Sequence, residues 1–205
     1  MKDHEGSSPS LGTRTQGSMK NVMILGANPN KHMLGTSLID VFLNDGYQVS
    51  SVCRSDVDLN KPDWFDIAIG DKDYDVIIVN AYDQNNHGMQ LEVFKTLLEK
   101  YKDDETKQLA VIGSTTHYFG NTSQKYDNAK RDLHEYFMKF GIHDSRYKCK
   151  LMLFEPGVLE NFLQNKDKYP VSYSSFSTIS KILFNLVQLN MKFIQISLRE
   201  GIKSP

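Results

Sequence analysis

Several stretches of this chain are apolar at every position and then stop abruptly at a small or polar residue. Asn21 to Ala27 reads NVMILGA, Asp75 to Tyr82 reads DVIIVNAY, Leu109 to Ser114 reads LAVIGS, and Cys149 to Gly157 reads CKLMLFEPG. A strand with one wet face alternates apolar and polar residues; a strand apolar throughout has both faces covered. Between these runs the pattern changes to helical spacing. Met33, Leu34, Leu38, Ile39, Phe42 and Leu43 mark one helix, closed at Asp45-Gly46. Leu91, Phe94, Leu97 and Leu98 mark a second, Asn128 to Phe140 a third, and Ile179 to Leu189 a fourth. Tyr47 to Val52 and Lys192 to Leu198 add two strands, and Asp56 to Asp71 has room for one brief turn or helix around Trp64. Strands alternating with helices predict an α/β fold: a doubly wound parallel sheet with helices on both faces, in one domain.

Residues 1–18 are polar, lack periodicity and end Gly-Ser before Met19, which reads as an expression leader; residues 19–205 form the expected domain. With 24 basic and 25 acidic residues interspersed, no face is charged enough to suggest nucleic acid. No apolar run approaches the roughly 18 residues that span a bilayer, so no membrane association is expected. Two cysteines, Cys53 and Cys149, exclude a disulfide scaffold and a Cys-rich zinc site, and no metal site is expected. A reducing cytoplasm is the simplest compartment.

In doubly wound sheets ligands bind beyond the carboxyl ends of the strands, so the residues just after each strand are the ones to inspect. Gly26 leaves the first strand and Gly35 opens the next helix, a setting in which backbone N–H groups meet phosphate. The loop between them is longer than a G-x-G-x-x-G loop and has no central glycine. Asn28 and Leu34 lie on it, and Lys31 and His32 are basic. The second strand ends Val52-Cys53-Arg54-Ser55 without an acid at its tip. An arginine there favours a 2′-phosphate and predicts NADP(H) over NAD(H). Asp58, close by, is a candidate for the adenine edge.

Tyr126 and Lys130 are the only Tyr and Lys four apart in the chain, and Ser114 ends a buried strand twelve residues earlier. Four apart on a helix they share a face. A carbonyl accepting hydride needs a proton; tyrosine donates one, a nearby ammonium draws its pKa down from about 10, and a serine hydroxyl holds the carbonyl oxygen.

Taken in order, these stations resemble the short-chain dehydrogenase/reductase family over nearly all of the chain from Lys20. The resemblance implies an NAD(P)-binding Rossmann fold. It matches the glycine loop to Gly26–Gly35, an Asn-Ala motif to Asn80-Ala81, and the catalytic serine to Ser114, with Thr115 as a substitute. It matches the Tyr-x-x-x-Lys pair to Tyr126 and Lys130, and a Pro-Gly beside the nicotinamide to Pro156-Gly157 with Val158. The family's helix asparagine would be Asn85 or Asn86. The expected activity is an NADP(H)-dependent oxidoreductase that interconverts a carbonyl and an alcohol on a small molecule. Tyr126, Lys130 and Ser114 would be catalytic. Gly26, Asn28, Leu34, Gly35, Arg54, Ser55, Asn80, Ala81, Tyr126, Lys130, Pro156, Gly157 and Val158 would hold the cofactor. His117 would line the substrate side, and 161–177, with Phe162, Tyr169, Tyr173 and Phe176, would supply a lid. A homodimer or homotetramer is expected through Leu91 to Tyr101 and Asn128 to Phe140, where Tyr136, Phe137 and Phe140 give more apolar area than a solvated face should carry. The alternatives are a nucleotide-sensing or scaffold protein that keeps the fold without turnover, motivated by the altered glycine loop, and a sugar-nucleotide reductase or epimerase.

Overall fold

The computed structural model describes residues 20–119, 123–143, 146–157, 159, 174–189 and 191–198. Val158 and residues 160–173, with Phe162, Tyr169 and Tyr173, lie outside the described residues, as do residues 1–19.

The apolar runs become strands buried on both faces. β1 (Asn21–Leu25), β2 (Gln48–Val52), β3 (Val76–Val79), β4 (Gln108–Ile112), β5 (Lys150–Glu155) and β6 (Phe193–Ser197) form one six-stranded sheet in the order β2-β1-β3-β4-β5-β6. Every pairing is parallel. The order reverses between β1 and β3, so the switch point faces the loops after Leu25 and Val79. Alternate residues of each run point to opposite layers. Val22, Ile24, Ile78, Ala110, Met152 and Phe154 pack under α1 (Leu34–Asn44) and α6 (Phe176–Gln188). Met23, Leu25, Ile77, Leu109, Val111 and Leu153 pack under α2 (Trp64–Ala68), α3 (Met89–Tyr101) and α5 (Gln124–His143). The short helix α4 (Thr116–Phe119) follows β4 and was not foreseen from the sequence.

Local chemistry sets the helix boundaries. The α1 terminus is a Schellman turn: Tyr47 N–H donates to the Phe42 carbonyl at 3.1 Å and Gly46 N–H to Leu43 at 3.0 Å, with Gly46 at φ +83°. The Tyr47 ring packs edge-on against Phe42, 5.2 Å between centroids, which completes the motif. The opening of α6 is capped by Ser175, whose Oγ accepts from Thr178 N–H at 3.1 Å. The third helix begins earlier than its apolar residues suggested, at Gln124, so Tyr126 stands in its first turn.

Two expectations are corrected by burial. Phe176, placed in a lid by the sequence, is only 2% exposed and belongs to the core beneath α6, where it meets His32 edge-on. Phe137, counted as surplus apolar surface for an oligomer, is 1% exposed and fills the core against Phe94 and Phe193, with Tyr136 packed beside it. That helix face is occupied by its own sheet, and the argument for an oligomer loses its basis; the Phe140 side chain lies outside the described residues. No described helix is long and apolar enough to cross a membrane.

Gly26 is the position where the site depends on having no side chain. It sits at φ +89°, and a Cβ there would lie 2.4 Å from the Ala81 Cα. Gly46 is also left-handed but faces open space. Gly46→Ala should lose only the left-handed strain, about 1–2 kcal/mol. Gly26→Ala should lose that plus about 1–3 kcal/mol of overpacking against backbone. Urea unfolding of the two variants measures the difference; equal losses would contradict the close approach of Gly26 to Ala81.

Candidate active site

At the carboxyl edge of the sheet the loops are tied to each other before any ligand is considered. Asn80 Nδ2 donates to the Gly26 carbonyl at 2.9 Å, joining the ends of β1 and β3. Thr115 N–H donates to the Pro156 carbonyl at 3.2 Å, joining the loops after β4 and β5. The Thr115 hydroxyl also points at that carbonyl, at 3.5 Å, so Thr115 is a loop fastener rather than a substitute for Ser114.

The structure brings Ser114, Tyr126 and Lys130 together. Ser114 is 6% exposed, with its Oγ 3.1 Å from Thr116 Oγ1 and close enough to the Tyr126 phenol to favour its ionised form. The Tyr126 ring lies edge-on to Tyr82, 4.8 Å between centroids. Lys130 Nζ stands 5.4 Å from the Tyr126 ring centre and 5.3 Å from that of Tyr82. Tyr82 is in turn hydrogen-bonded to His87 Nδ1.

Lys130 is only 4% exposed, and its ammonium is held from below. Nζ donates to Gln90 Oε1 at 2.6 Å and to the Ile112 carbonyl at 3.2 Å. Gln90 Nε2 donates to the carbonyls of Ile112 at 2.9 Å and Val79 at 3.2 Å, the last residues of β4 and β3. Gln90 therefore satisfies two strand ends and aims the lysine. The sequence pointed instead to Asn85 or Asn86 near this helix. Asn85 N–H donates to Asp83, and Asn86 to Asn60, so neither reaches Lys130. The missed signal was a glutamine at the apolar spacing of α3: Gln90, Val93, Phe94 and Leu97 share its buried face.

Electrostatics depart from the expectation for the tyrosine. Burial pushes the Tyr126 phenol above its ordinary value, and the nearby Ser114 hydroxyl only partly opposes this. Burial also lowers Lys130, to about 7, against a smaller opposing pull from the Glu155 charge. The ammonium thus does not draw the phenol down here, because desolvation disfavours both charges. Near neutral pH Tyr126 is a protonated acid beside a lysine close to half-charged.

The remaining sequence candidates, apart from Pro156 and Gly157 beyond β5, lie toward the β1 and β2 end of the edge. The N-terminus of α1 has no side-chain cap on Met33 and no acid in its first turn. Gly35 lets this helix close on the loop, since a Cβ there would lie 2.8 Å from Ala27. Asn28 shapes the loop itself: its Oδ1 accepts from Asn30 N–H and its carbonyl from Thr36 Oγ1, both at 2.9 Å. Leu34 is buried in the core and Lys31 is exposed. Arg54 forms an ion pair with the buried Asp83 while its side chain stays 64% exposed. The Arg54 guanidinium, helped by Asn85 N–H and Asn60, holds the Asp83 carboxyl well below the usual range. Ser55 contacts Cys53 and Asp56, and Asp58 accepts from Asn60 N–H and Nδ2 at 3.1 and 3.0 Å. Pro156 is buried, and Gly157 is half-buried beyond β5.

No family model matches the chain, and no curated protein matches it. Solved structures do. A 3-ketoacyl-(acyl-carrier-protein) reductase from Brucella melitensis, complexed with NADH, superposes with a TM-score of 0.71 at 14% identity, covering 87% of this chain and 96% of that one. An oxidoreductase of the short-chain dehydrogenase/reductase family from Burkholderia thailandensis gives 0.69 at 16% identity, over 88% and 92%. ElxO with NADP bound gives 0.68 at 14% identity, over 87% and 97%. The fold is the Rossmann-type fold of the short-chain dehydrogenases and reductases.

Lys130 makes stability depend on pH. An unfolded lysine titrates near 10.5 and the folded one near 7. Between these values the unfolded chain holds a proton that the folded chain lacks, so raising the pH favours folding. Below about 7 both are charged and the dependence vanishes. Unfolding measured from about pH 6 to about pH 10 should show the protein gaining stability on Lys130→Met as pH rises above about 7. A difference constant across that range would mean that Lys130 is not desolvated.

Proposed function

We propose that the chain is an NADP(H)-dependent oxidoreductase that interconverts a carbonyl and an alcohol on a small molecule. The observation that carries this reading is the buried, neutral Tyr126 phenol close to the Ser114 hydroxyl, with Lys130 Nζ beside the rings of Tyr126 and Tyr82. A sensor or scaffold with this fold needs none of the three together.

The residues present fit a nicotinamide dinucleotide. The uncapped N-terminus of α1 offers backbone N–H groups and positive dipole charge to a pyrophosphate. Lys130 spends two of its three donors on Gln90 and Ile112, leaving one N–H for a ribose hydroxyl. Arg54, oriented by Asp83 and exposed at the tip of β2, suits a 2′-phosphate. The dinucleotide, when bound, supplies the hydride of a reduction or takes it up in the reverse direction.

The protein's part is acid–base chemistry and orientation. The Ser114 hydroxyl holds the substrate oxygen and the Tyr126 phenol. Tyr126 Oη donates its proton to that oxygen as negative charge develops on it. Loss of the phenol proton leaves a phenolate, which raises the proton affinity of Lys130 and draws it to the ammonium form. A protonated phenol at rest suits the reduction direction. Gln90 positions Lys130 by accepting from Nζ.

The test is oxidation of NADPH with a panel of ketones and aldehydes. Tyr126→Phe should lower kcat by about 100-fold or more while leaving cofactor affinity in place. Unchanged kcat in Tyr126→Phe would overturn the mechanism.

A further inference from the structure

Behind the Ser114, Tyr126 and Lys130 set lies a second cluster that the proposed reaction does not use. His117 on α4, His134 on α5 and Glu155 at the end of β5 each offer one ligand atom within 4.8 Å of the other two. Glu155 is fully buried, and Gly113 makes room for it: a Cβ at that position would lie 2.8 Å from Glu155 Cγ.

The two carboxylate oxygens are used differently. Oε2 accepts from Ser197 Oγ at 2.6 Å, Gln195 Nε2 at 2.9 Å and the Tyr118 hydroxyl at 3.5 Å. Oε1 faces the imidazoles, 3.1 Å from His134 Nδ1 and 3.7 Å from His117 Nδ1. His117 Nδ1 is also 2.6 Å from the Ser114 carbonyl oxygen. A carbonyl only accepts, so Nδ1 carries the hydrogen and the lone pair is on Nε2. Nε2 is buried, with no hydrogen-bond partner among the described residues.

We propose that His117, His134 and Glu155 bind a first-row divalent cation of the zinc type. Two imidazoles and a carboxylate suit such an ion, whereas magnesium and calcium favour oxygen donors throughout. Donors bonded to one zinc at about 2.0–2.1 Å stand roughly 3 Å apart, and His134 Nδ1 and Glu155 Oε1 are already at 3.1 Å. The outer partners match as well. Metal-binding imidazoles and carboxylates are held by hydrogen bonds on their other atoms; here Ser114 holds His117, and Ser197 and Gln195 hold Glu155. The ion replaces the hydrogen between His134 and Glu155 and takes up the idle Nε2 lone pair of His117, whose ring, now presenting Nδ1 to Oε1, reorients on binding. It cross-links α4, α5 and β5. Ser114 lies three residues before one ligand and Lys130 four before another, so the ion is a strut beneath the elements that carry the acid–base residues. The three ligands come from three separate segments, with none of the close spacing by which metal sites are recognised in a sequence.

The test is a Co²⁺ and Zn²⁺ titration of the purified full chain, read by visible ligand-field absorption for Co²⁺ and by equilibrium dialysis and Tm for Zn²⁺. The expected result is one ion per chain, a Co²⁺ spectrum of low-symmetry nitrogen and oxygen ligation, and a Tm that rises with Zn²⁺. His134→Ala and Glu155→Gln should abolish the spectrum. Ser197→Ala, which leaves all three ligands in place, should weaken binding about 10-fold or more. His32→Ala should leave binding unchanged. No ion bound by the folded wild-type chain, or a spectrum that survives both ligand variants, would overturn the proposal and leave the cluster a hydrogen-bonded network only. These readouts do not involve oxidoreductase activity, so they stand or fall independently of it.

Discussion

A buried lysine cation is unfavourable unless its protons are taken up, and in this protein the edge of the sheet is organised around doing so. Lys130 comes from α5, its acceptors from Gln90 on α3 and from the last carbonyl of β4. Gln90 itself closes the ends of β3 and β4. One amide side chain therefore fixes the lysine, the strand ends and the spacing of the two helices above them. Ser114 and Tyr126 fall into place as consequences, since one ends the strand beyond Ile112 and the other lies one helical turn before Lys130.

Desolvation does the electrostatic work. It raises Tyr126 and lowers Lys130, drawing the two groups apart, so that at rest the phenol keeps its proton while the lysine holds its proton only weakly. Where charge is retained, it is paired. Asp83 is buried against Arg54, and Glu155 is buried among Ser197, Gln195 and two histidines. Both pairings stand at strand ends, where unpaired carbonyls and loop N–H groups already make the environment polar. Below them β1, β3, β4 and β5 are apolar between their end residues.

Much of the fold is legible in the chain because a strand buried on both faces has to be apolar at every position. The runs at Val22, Val76, Leu109 and Leu151 announce themselves, and helical spacing between them fixes the crossovers. The grouping of Ser114, Tyr126 and Lys130 is legible for a similar reason: strand end and helix start are sequence features. What was hidden depends on contacts across the fold. Gln90 looks like any helix-surface glutamine until α3 is laid on the sheet. Asp83 follows Tyr82 as an ordinary loop acid until Arg54, from a different strand, reaches it. His117, His134 and Glu155 are spread over three elements. Phe176 and Phe137 were misread because an aromatic residue declares that it is buried, not against what.

The account rests on the carboxyl edge of this sheet receiving a nicotinamide dinucleotide, and a thermal-shift titration of the full chain with NADPH, NADP⁺, NADH and NAD⁺ tests that most directly. A ligand that binds only the native state raises Tm with the logarithm of its concentration. The account predicts such a rise with NADPH and NADP⁺ that exceeds the rise with NADH and NAD⁺. No shift with any of the four would contradict it.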